Sequence, residues 1–343
     1  MNDLADRFRT RLLGSPRTPP LDTRVLVGVS GGADSVVLLH LLRFTPGLPP
    51  LDLLAVHVDH GWRRESGNDA RWLKGLCRAW GVGLRVERLP RPPVDQRSET
   101  RARELRHRIL ESARLGLRAD RVALAHHADD QAETVLHRVA RGTGPAGLAA
   151  MREWREPGIW RPLLGFWRAE LRSYAADVGL TWRTDPSNRD PTRPRNVIRH
   201  RVIPALEEGV SSTARRSLTR LAELAAEEAE AWESALACVE SGLDLCRRPP
   251  PRRSVSLAAA PFERLPQELR AVMLRRLAAE LGFPLDRTGT EIAARFSIAR
   301  GHGREVSLTG GLRLWRGHER LIMLPPRRKP TAEAPRSDQG IHG

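Results

Sequence analysis

The residues best suited to chemistry come early in the chain, where an apolar run at residues 24–29 gives way to a turn containing two glycines. β-branched residues before the turn and a leucine-rich segment after it predict a strand, a tight turn and a helix start. Such a turn can bind a phosphate, because glycine leaves the backbone accessible and a helix N-terminus offers unpaired amides. The residues of this predicted phosphate-binding loop are Ser30, Gly31, Gly32, Ala33, Asp34 and Ser35.

Asp34 is the acidic member of the phosphate-binding loop. A carboxylate beside a polyphosphate is expected either to hold the Mg²⁺ that accompanies ATP or to cap the helix. The loop has neither the lysine of the GxxxxGK[ST] motif nor the spacing of GxGxxG. It resembles the SGGxDS loop of ATP pyrophosphatases, which cleave ATP between the α- and β-phosphates. The plainer alternative is a glycine-rich turn in which Asp34 only caps the helix.

Two more groups of polar residues follow predicted strands. His57 and Asp59 end one apolar run, and the segment HHADDQAET at residues 126–134 follows another. Because ligands of parallel α/β sheets bind beyond the carboxyl ends of the strands, these groups and the phosphate-binding loop are expected to share one sheet edge. Asp130 and Glu133 then have three candidate roles: binding Mg²⁺, binding a cationic substrate, or removing a proton from an amine. A dedicated transition-metal site is the less favoured interpretation, and the two histidines could simply cap the helix.

Basic helices supply the candidate contacts to a phosphate or a base. Arg103 lies in a predicted helix at residues 98–115. Arg199 lies in a second one, predicted over residues 195–208 after a polar turn, whose basic part is expected to end at Pro204. Guanidinium groups can grip phosphates or base edges through two parallel hydrogen bonds. A solvated helix face would show a similar pattern, so these segments alone leave both interpretations open.

The order of elements predicts an α/β fold with a doubly wound parallel sheet, because strands alternate with helices. The catalytic domain is expected at residues 1–210, followed by a long helical linker at 211–246 and a stiff basic segment at 247–253. A smaller α+β or helical unit is expected at 254–324, and a polar, proline-rich tail at 325–343 is expected to be disordered. The predicted strands of the first domain are residues 24–29, 51–58, 82–89 and 121–125.

The charge of the chain indicates a polyanionic partner. Lys and Arg total 57 against 41 Asp and Glu, a formal net charge of +16, which favours nucleic acid. The three cysteines lack metal-ligand spacing and are expected to be reduced thiols in a cytoplasmic protein. No apolar run reaches the roughly 18 residues that a membrane span needs.

The motifs and their order, over roughly residues 24–206, resemble those of tRNA(Ile)-lysidine synthetases. This resemblance implies an adenine-nucleotide α-hydrolase-like fold and an enzyme that uses ATP and Mg²⁺ to adenylate the wobble cytidine of tRNA(Ile). Free L-lysine then displaces AMP, which yields lysidine. The matching motifs are SGGADS, AVHVDHGWR, AR-x-x-RH, AHHADDQAET followed by RGTG, RPLL, DPSN and RN-x-x-R-x-x-V-x-P.

The same resemblance implies roles for individual residues. Asp34 would hold Mg²⁺, and the phosphate-binding loop together with His57 would bind ATP. Asp130, Glu133 and Asn196 would bind lysine, whose amine must lose a proton before it attacks. The implied catalytic residues are Asp34, Asp130, Arg103 and Arg199.

Other function classes explain less of the sequence. A thiolase acting on tRNA would need paired cysteines for sulfur transfer or an iron–sulfur cluster, and a nucleotide amidase would bring a glutaminase portion with a nucleophilic cysteine. A non-enzymatic RNA-binding protein would account for the charge but not for Asp34, Asp130 and Glu133 at one sheet edge. The oligomeric state and the identity of the carboxylate that deprotonates lysine stay open.

Overall fold

The computed structural model describes residues 3–15, 18–59, 66–89, 99–183, 193–250 and 253–327. The chain divides into two compact units, Met1–Ala229 and Glu230–Gly343. The DPSN segment, the end of AVHVDHGWR and most of the predicted disordered tail lie outside the described residues, as does the side chain of Arg103. Within the described ranges, no helix combines the length and apolar character needed to cross a membrane.

A six-stranded sheet forms the centre of the first unit, with strand order β3-β2-β1-β4-β6-β5. Neighbouring strands are parallel except for β5, which pairs antiparallel with β6. The predicted parallel sheet is therefore confirmed, with an added antiparallel edge. The strands are β1 Arg24–Gly28, β2 Asp52–Asp59, β3 Gly83–Arg88, β4 Arg121–Ala123, β5 Trp154–Arg155 and β6 Ile159–Trp160.

Helices cover both faces of this sheet, as a doubly wound fold requires. Alternate residues of β1 face opposite sides: Val25 and Val27 belong to one apolar core, and Leu26 belongs to another. The first core takes its helical residues from α1, α2, α3 and α7, and the second takes them from α4. The helices before the long α10 are α1 Asp3–Leu13, α2 Ala33–Phe44, α3 Ser66–Ala79, α4 Glu99–Gly116, α5 Ala128–Ala140, α6 Pro145–Leu148, α7 Arg168–Asp177, α8 Pro194–Val197 and α9 Ile203–Gly209.

The predicted helix over residues 195–208 is confirmed as a helical path, but the expectation that Pro204 ends its basic part is wrong. A π-helical turn, Ile198–Val202, joins α8 to α9, and the helical path runs on to Gly209. Proline lacks the N–H that an α-helix interior needs, and it is tolerated in a first helical turn. Here Pro204 occupies the first turn of α9, so the wider π turn before it removes the conflict.

The second unit contains a five-stranded antiparallel sheet, order β7-β8-β11-β10-β9, packed with helices, so it is of the α+β type. Helix α10, Ala214–Ser241, contains the boundary between the two units. The other elements of this unit are β7 Cys246–Arg248, β8 Ser254–Ala258, α11 Ala259–Glu263, α12 Gln267–Glu280, α13 Arg287–Ser297, β9 Arg304–Ser307, β10 Arg313–Arg316 and β11 Arg320–Leu324.

The segment expected to be a stiff basic linker is partly a strand. Cys246–Arg248 forms β7 and pairs antiparallel with β8. Arg247 also makes ion pairs with Glu240, at 2.8 Å, and Glu280, at 2.7 Å. Strand pairing and these carboxylates hold Arg247 and Arg248 within the second unit, whereas the sequence of the segment showed only arginine and proline.

Candidate functional site

The phosphate-binding loop closes on itself through its own serines. The Ser30 amide donates to Ser35 Oγ over 3.2 Å, and Ser35 Oγ donates to the Gly32 carbonyl over 2.9 Å. Gly31 has φ +86°, a left-handed conformation that favours glycine, and the nearest side-chain atom to a Cβ built there is 3.8 Å away. Backbone conformation, more than lack of space, therefore calls for glycine at this position.

Two residues outside the loop hold it in place through hydrogen bonds to backbone carbonyls in or next to the loop. The Arg183 amide donates to the Gly31 carbonyl over 2.9 Å. His57, buried at the end of β2, places Nδ1 2.8 Å from the Val29 carbonyl, which fits an Nδ1–H donor. His57 thus contacts Val29, the residue between β1 and the loop, and from this position it can orient the loop. Nothing in the local sequence around Arg183 signals its contact, because that contact depends on the fold.

Asp34 lies in the first turn of α2 with its two carboxylate oxygens in different surroundings. Oδ2 is 3.6 Å from His127 Nε2. Oδ1 is buried and accepts no hydrogen bond from the described residues. A buried carboxylate oxygen without a partner is costly, and it is the kind of ligand that Mg²⁺ prefers. The residue therefore fits the predicted role of a Mg²⁺ ligand better than that of a helix cap.

His127 precedes α5 and is surrounded by carboxylates. Its Nε2 lies 3.6 Å from both Asp34 Oδ2 and Asp130 Oδ2, and its Nδ1 lies 3.5 Å from Asp129 Oδ2. Burial disfavours the charged imidazolium, but the three carboxylates outweigh burial and raise the pKa of His127. A charged His127 would offset the negative charge at the point where Asp34 meets α5.

Asp130 and Glu133 form a buried ion-pair cluster with Arg195 and Arg199. Glu133 is 1% exposed, and it accepts hydrogen bonds from Arg195 Nε over 2.8 Å and from Arg199 Nε over 2.5 Å. Asp130 Oδ1 accepts from Arg195 Nη2 over 2.8 Å and from Arg199 Nη2 over 3.2 Å. Burial opposes ionisation of Asp130, but the charges of His127 and the two arginines lower its pKa well below the usual range.

Helix α8 and the π turn that follows it place Arg195 and Arg199 on one face. Arg195 and Arg199 are four residues apart, the spacing that brings side chains together on a helix. The π turn begins at Ile198, and π turns are frequent at functional sites. Burial favours the neutral form of Arg199, but the hydrogen bond and charge of Glu133 outweigh burial and raise the pKa of its guanidinium.

The predicted site residues of the first unit meet for the most part at the carboxyl ends of β1, β2 and β4. The phosphate-binding loop, Asp34, Asp130, Glu133 and Arg199 are linked through the contacts above, and Asn196 is buried on α8 beside Arg195. The side chain of Arg103 is outside the described part of the chain. In the part that is described, no group of three or more His, Cys, Asp or Glu is arranged to hold a metal ion.

Three residues of the site, Arg195, Asp129 and Arg215, were not predicted from the sequence. The Asp129 carboxylate accepts a 2.8 Å hydrogen bond from the Arg168 amide and a second one from the Arg215 guanidinium. A signal for Arg195 was present, since it lies in the same motif and four residues before Arg199. Arg215 lies far along the chain in α10, and no motif or spacing in the sequence indicated its contact with Asp129.

The chain is similar to known proteins over the region that contains this site. The model of the PP-loop domain family, ATP_bind_3, matches residues 7–206. The protein named tRNA(Ile)-lysidine synthase of Xanthomonas campestris pv. campestris is 46% identical over 198 residues, covering 56% of this chain and 44% of that protein. The protein of the same name in Thermus thermophilus is 37% identical over 325 residues, covering 93% of this chain and 60% of that protein.

The fold also resembles a solved structure. The U34-tRNA thiolase NcsA from Methanococcus maripaludis, with its [4Fe-4S] cluster, aligns with a TM-score of 0.54 and 18% identity, over 64% of this chain and 78% of that one. At this identity the likeness concerns the fold alone. The chain spans about half the length of the Xanthomonas relative and 60% of the Thermus relative.

The family match covers more than half of the chain and includes the loop, α5 and the arginines of α8 and the π turn. The doubly wound sheet and the self-closing SGGADS loop agree with this match. The chain belongs to the PP-loop domain family.

Proposed function

We propose that this protein ligates free L-lysine to the wobble cytidine of an isoleucine tRNA, converting ATP to AMP and pyrophosphate. The observation that carries the proposal is the placement of the phosphate-binding loop, with its unpartnered Asp34 oxygen, next to the buried Asp130 and Glu133 cluster. Relatives named tRNA(Ile)-lysidine synthase support this substrate over sulfur transfer.

The first half of the reaction adenylates the cytidine carbonyl oxygen and releases pyrophosphate. The phosphate-binding loop would hold the departing pyrophosphate through backbone amides at the start of α2. Asp34 Oδ1 fits Mg²⁺, which when bound would neutralise phosphate charge. His57 and Arg183 would keep the loop in position through the Val29 and Gly31 carbonyls.

The second half requires lysine to bind and lose a proton. Asp130 is a poor proton acceptor, because its pKa is held low by the neighbouring cations. Glu133 is bound to two guanidinium groups, so an incoming ammonium must replace one of them. Exposure does not distinguish the two, since the side chains of Arg195 and Arg199 are 29% and 20% exposed. We assign the movement to Arg199, because the resemblance to lysidine synthetases gives it a contact with the phosphate of the activated cytidine. Glu133 would then hold the lysine ammonium and accept its proton before the amine attacks.

Three assignments from the sequence remain part of this proposal. Asn196 would contact lysine from α8, next to the cluster. Arg103 would contact the activated base or its phosphate from α4. The net charge of +16 would bind the tRNA backbone, and the three free cysteines suit a cytoplasmic protein.

The test is incubation of the purified protein with ATP, Mg²⁺, L-lysine and an isoleucine tRNA carrying a CAU anticodon, followed by mass analysis of nucleosides. A cytidine that gains the mass of lysine less water is expected, together with AMP in equal amount. A transcript with uridine at the wobble position is the control and should remain unmodified. AMP formation without a lysine adduct would refute the proposal.

A further inference from the structure

A small cavity lies against the start of α5, next to the ion-pair cluster. Its volume is about 70 Å³, and all of its lining residues belong to the first unit. They come from α5, α7, the π turn, α9 and α10, so five helical segments converge on it. The lining residues are Asp129, Glu133, Arg168, Arg199, Ile203 and Arg215.

Most charged groups of this cavity have partners of opposite sign. Glu133 is paired with Arg199 at 2.5 Å. Arg215 binds Asp129 and also pairs with Glu207 at 3.0 Å. These groups therefore neutralise one another within the wall of the cavity.

Arg168 is different from the other cations of the wall. Its guanidinium makes no ion pair with any residue that the structure describes, and its Nε is buried without a hydrogen-bond acceptor. Only its backbone amide is engaged, by the Asp129 carboxylate. A buried guanidinium nitrogen without an acceptor is unfavourable, so the cavity lacks one anion.

The charges of the wall decide which anion fits. Of the three guanidinium groups that line the cavity, those of Arg199 and Arg215 are paired with carboxylates, so the one positive charge without an ion pair among the described residues is that of Arg168. A carboxylate carries a single negative charge and matches the planar donor pair of arginine. A phosphate dianion would bring a second negative charge close to Asp129 and Glu133, which repel it. The wall therefore favours a carboxylate.

We propose that this cavity binds the α-carboxylate of the free amino acid that the enzyme consumes, and that Arg168 is the residue that holds it. This inference rests on the proposed function, which requires a free amino acid. Glu133 belongs both to the cavity wall and to the cluster with Asp130, so a bound amino acid would have its carboxylate at Arg168 and its side chain beside the cluster. Arg168 thereby selects an amino acid over a simple amine.

The test compares L-lysine with cadaverine, which has both amines of lysine but no carboxylate. The variant is Arg168→Gln, which keeps the backbone amide that binds Asp129. The matched control is Arg172→Gln, because Arg172 is exposed one turn further along the same helix. Steady-state AMP formation with tRNA gives kcat and KM for each amine, and calorimetry measures lysine binding directly.

Loss of Arg168 is expected to raise the KM and the Kd for lysine by roughly 10–100-fold, the usual contribution of a hydrogen bond to a charged group. The kcat/KM for cadaverine should stay within about twofold of wild type, because cadaverine has no group that needs Arg168. Arg168→Lys should recover part of the lysine affinity, since it restores the charge without the planar donors. Arg172→Gln should behave as wild type.

Equal loss for both amines, or an unchanged Kd for lysine, would overturn the proposal, because Arg168 would then act on the fold or have no role in binding. The proposed ligation activity can be wrong while the carboxylate site is correct. If the wild-type protein binds lysine through Arg168 yet forms no lysine adduct on tRNA, the carboxylate site stands and the ligation activity does not. If the wild-type protein binds no lysine, the carboxylate site is wrong.

Discussion

Both units of this protein contain arginine–glutamate clusters, but the carboxylates of the first are buried, whereas the second is partly exposed, and the clusters have different neighbours. In the second unit, Glu240 of α10 accepts hydrogen bonds from Arg247 of β7 over 2.8 Å and from Arg276 of α12 over 2.9 Å. Burial raises the pKa of Glu240, yet these two arginines outweigh it and lower the pKa. The contacts join three elements of one unit and have a structural role.

In the first unit, guanidinium and carboxylate groups are paired in the same way, but at a different position in the fold. The members of this cluster are Asp130, Glu133, Arg195 and Arg199. It lies at the carboxyl ends of parallel strands, where ligands of such sheets bind. Beside it are the unpartnered Asp34 oxygen and the Arg168 guanidinium. Pairing of buried charges therefore does not by itself identify a functional site. Unsatisfied polar groups next to the pairs, at the ligand-binding edge, do so better.

Substitution of Asp34 should have the largest effect on activity and so show most clearly that the first unit contains the active site. Asp34→Ala is expected to lower tRNA-dependent AMP formation by roughly 10²–10³-fold, since it removes a group that stabilises developing phosphate charge. The measurement is AMP release at saturating ATP, with circular dichroism to verify folding. Asp52→Asn is the control, because Asp52 is exposed at the opposite end of the sheet. Near-normal AMP release by Asp34→Ala would place the phosphate chemistry elsewhere.

Substitution of Glu133 and of Glu240 provides a direct comparison of the two clusters. Glu133→Gln leaves two guanidinium groups without their anion and should reduce the free energy of unfolding by about 3 kcal/mol, the low end for a broken buried pair because both arginine side chains are partly exposed. It should also reduce lysine incorporation more than it reduces tRNA-dependent pyrophosphate release. Both products are measured from the same reaction.

Glu240→Gln is the matched variant in the second unit. It should lower the free energy of unfolding by about 1–2 kcal/mol, since it weakens hydrogen bonds to charged groups. Lysine incorporation per folded molecule should stay unchanged. If Glu240→Gln lost incorporation as severely as Glu133→Gln, the distinction between a structural and a functional cluster would not hold.

The salt dependence of tRNA affinity tests whether the excess positive charge binds nucleic acid. The logarithm of the tRNA association constant should fall linearly with the logarithm of the salt concentration. Arg295 is exposed on α13, and Arg295→Gln should reduce this slope by about one if it contacts a phosphate. Filter binding at several salt concentrations measures the slope. Affinity that is independent of salt would leave the net charge of +16 without a partner.

The cysteines give the smallest expected effect and report on packing. Cys77 is buried in the first unit, and burial raises its pKa to about 11, whereas Cys238 and Cys246 of the second unit are exposed. Iodoacetamide reacts with the thiolate, so it should label the two exposed cysteines first and Cys77 only slowly near neutral pH. Peptide mass analysis over time distinguishes the three sites. Equally fast labelling of Cys77 would mean that the first core opens readily.

Local sequence was enough to predict the loop and the elements on either side of it. Two glycines and two serines within six residues determine a turn whose hydrogen bonds are made among those same residues, such as Ser30 to Ser35. The same holds for β1, because its alternating apolar residues face two cores. The sequence predicted a basic helix around Arg199, but not the π turn that places its side chain.

The sequence by itself determined the loop, the parallel sheet and the carboxylates at its edge, because each depends on neighbouring residues or on simple periodicity. Only the tertiary structure decided which charges meet. Arg195 reaches Asp130 across 65 residues, and Arg215 reaches Asp129 across 86. The structure likewise leaves Arg168 without an anion although Asp129 accepts its backbone amide. Such pairings depend on how distant helices pack at one sheet edge, and spacing along the chain carries no record of that packing.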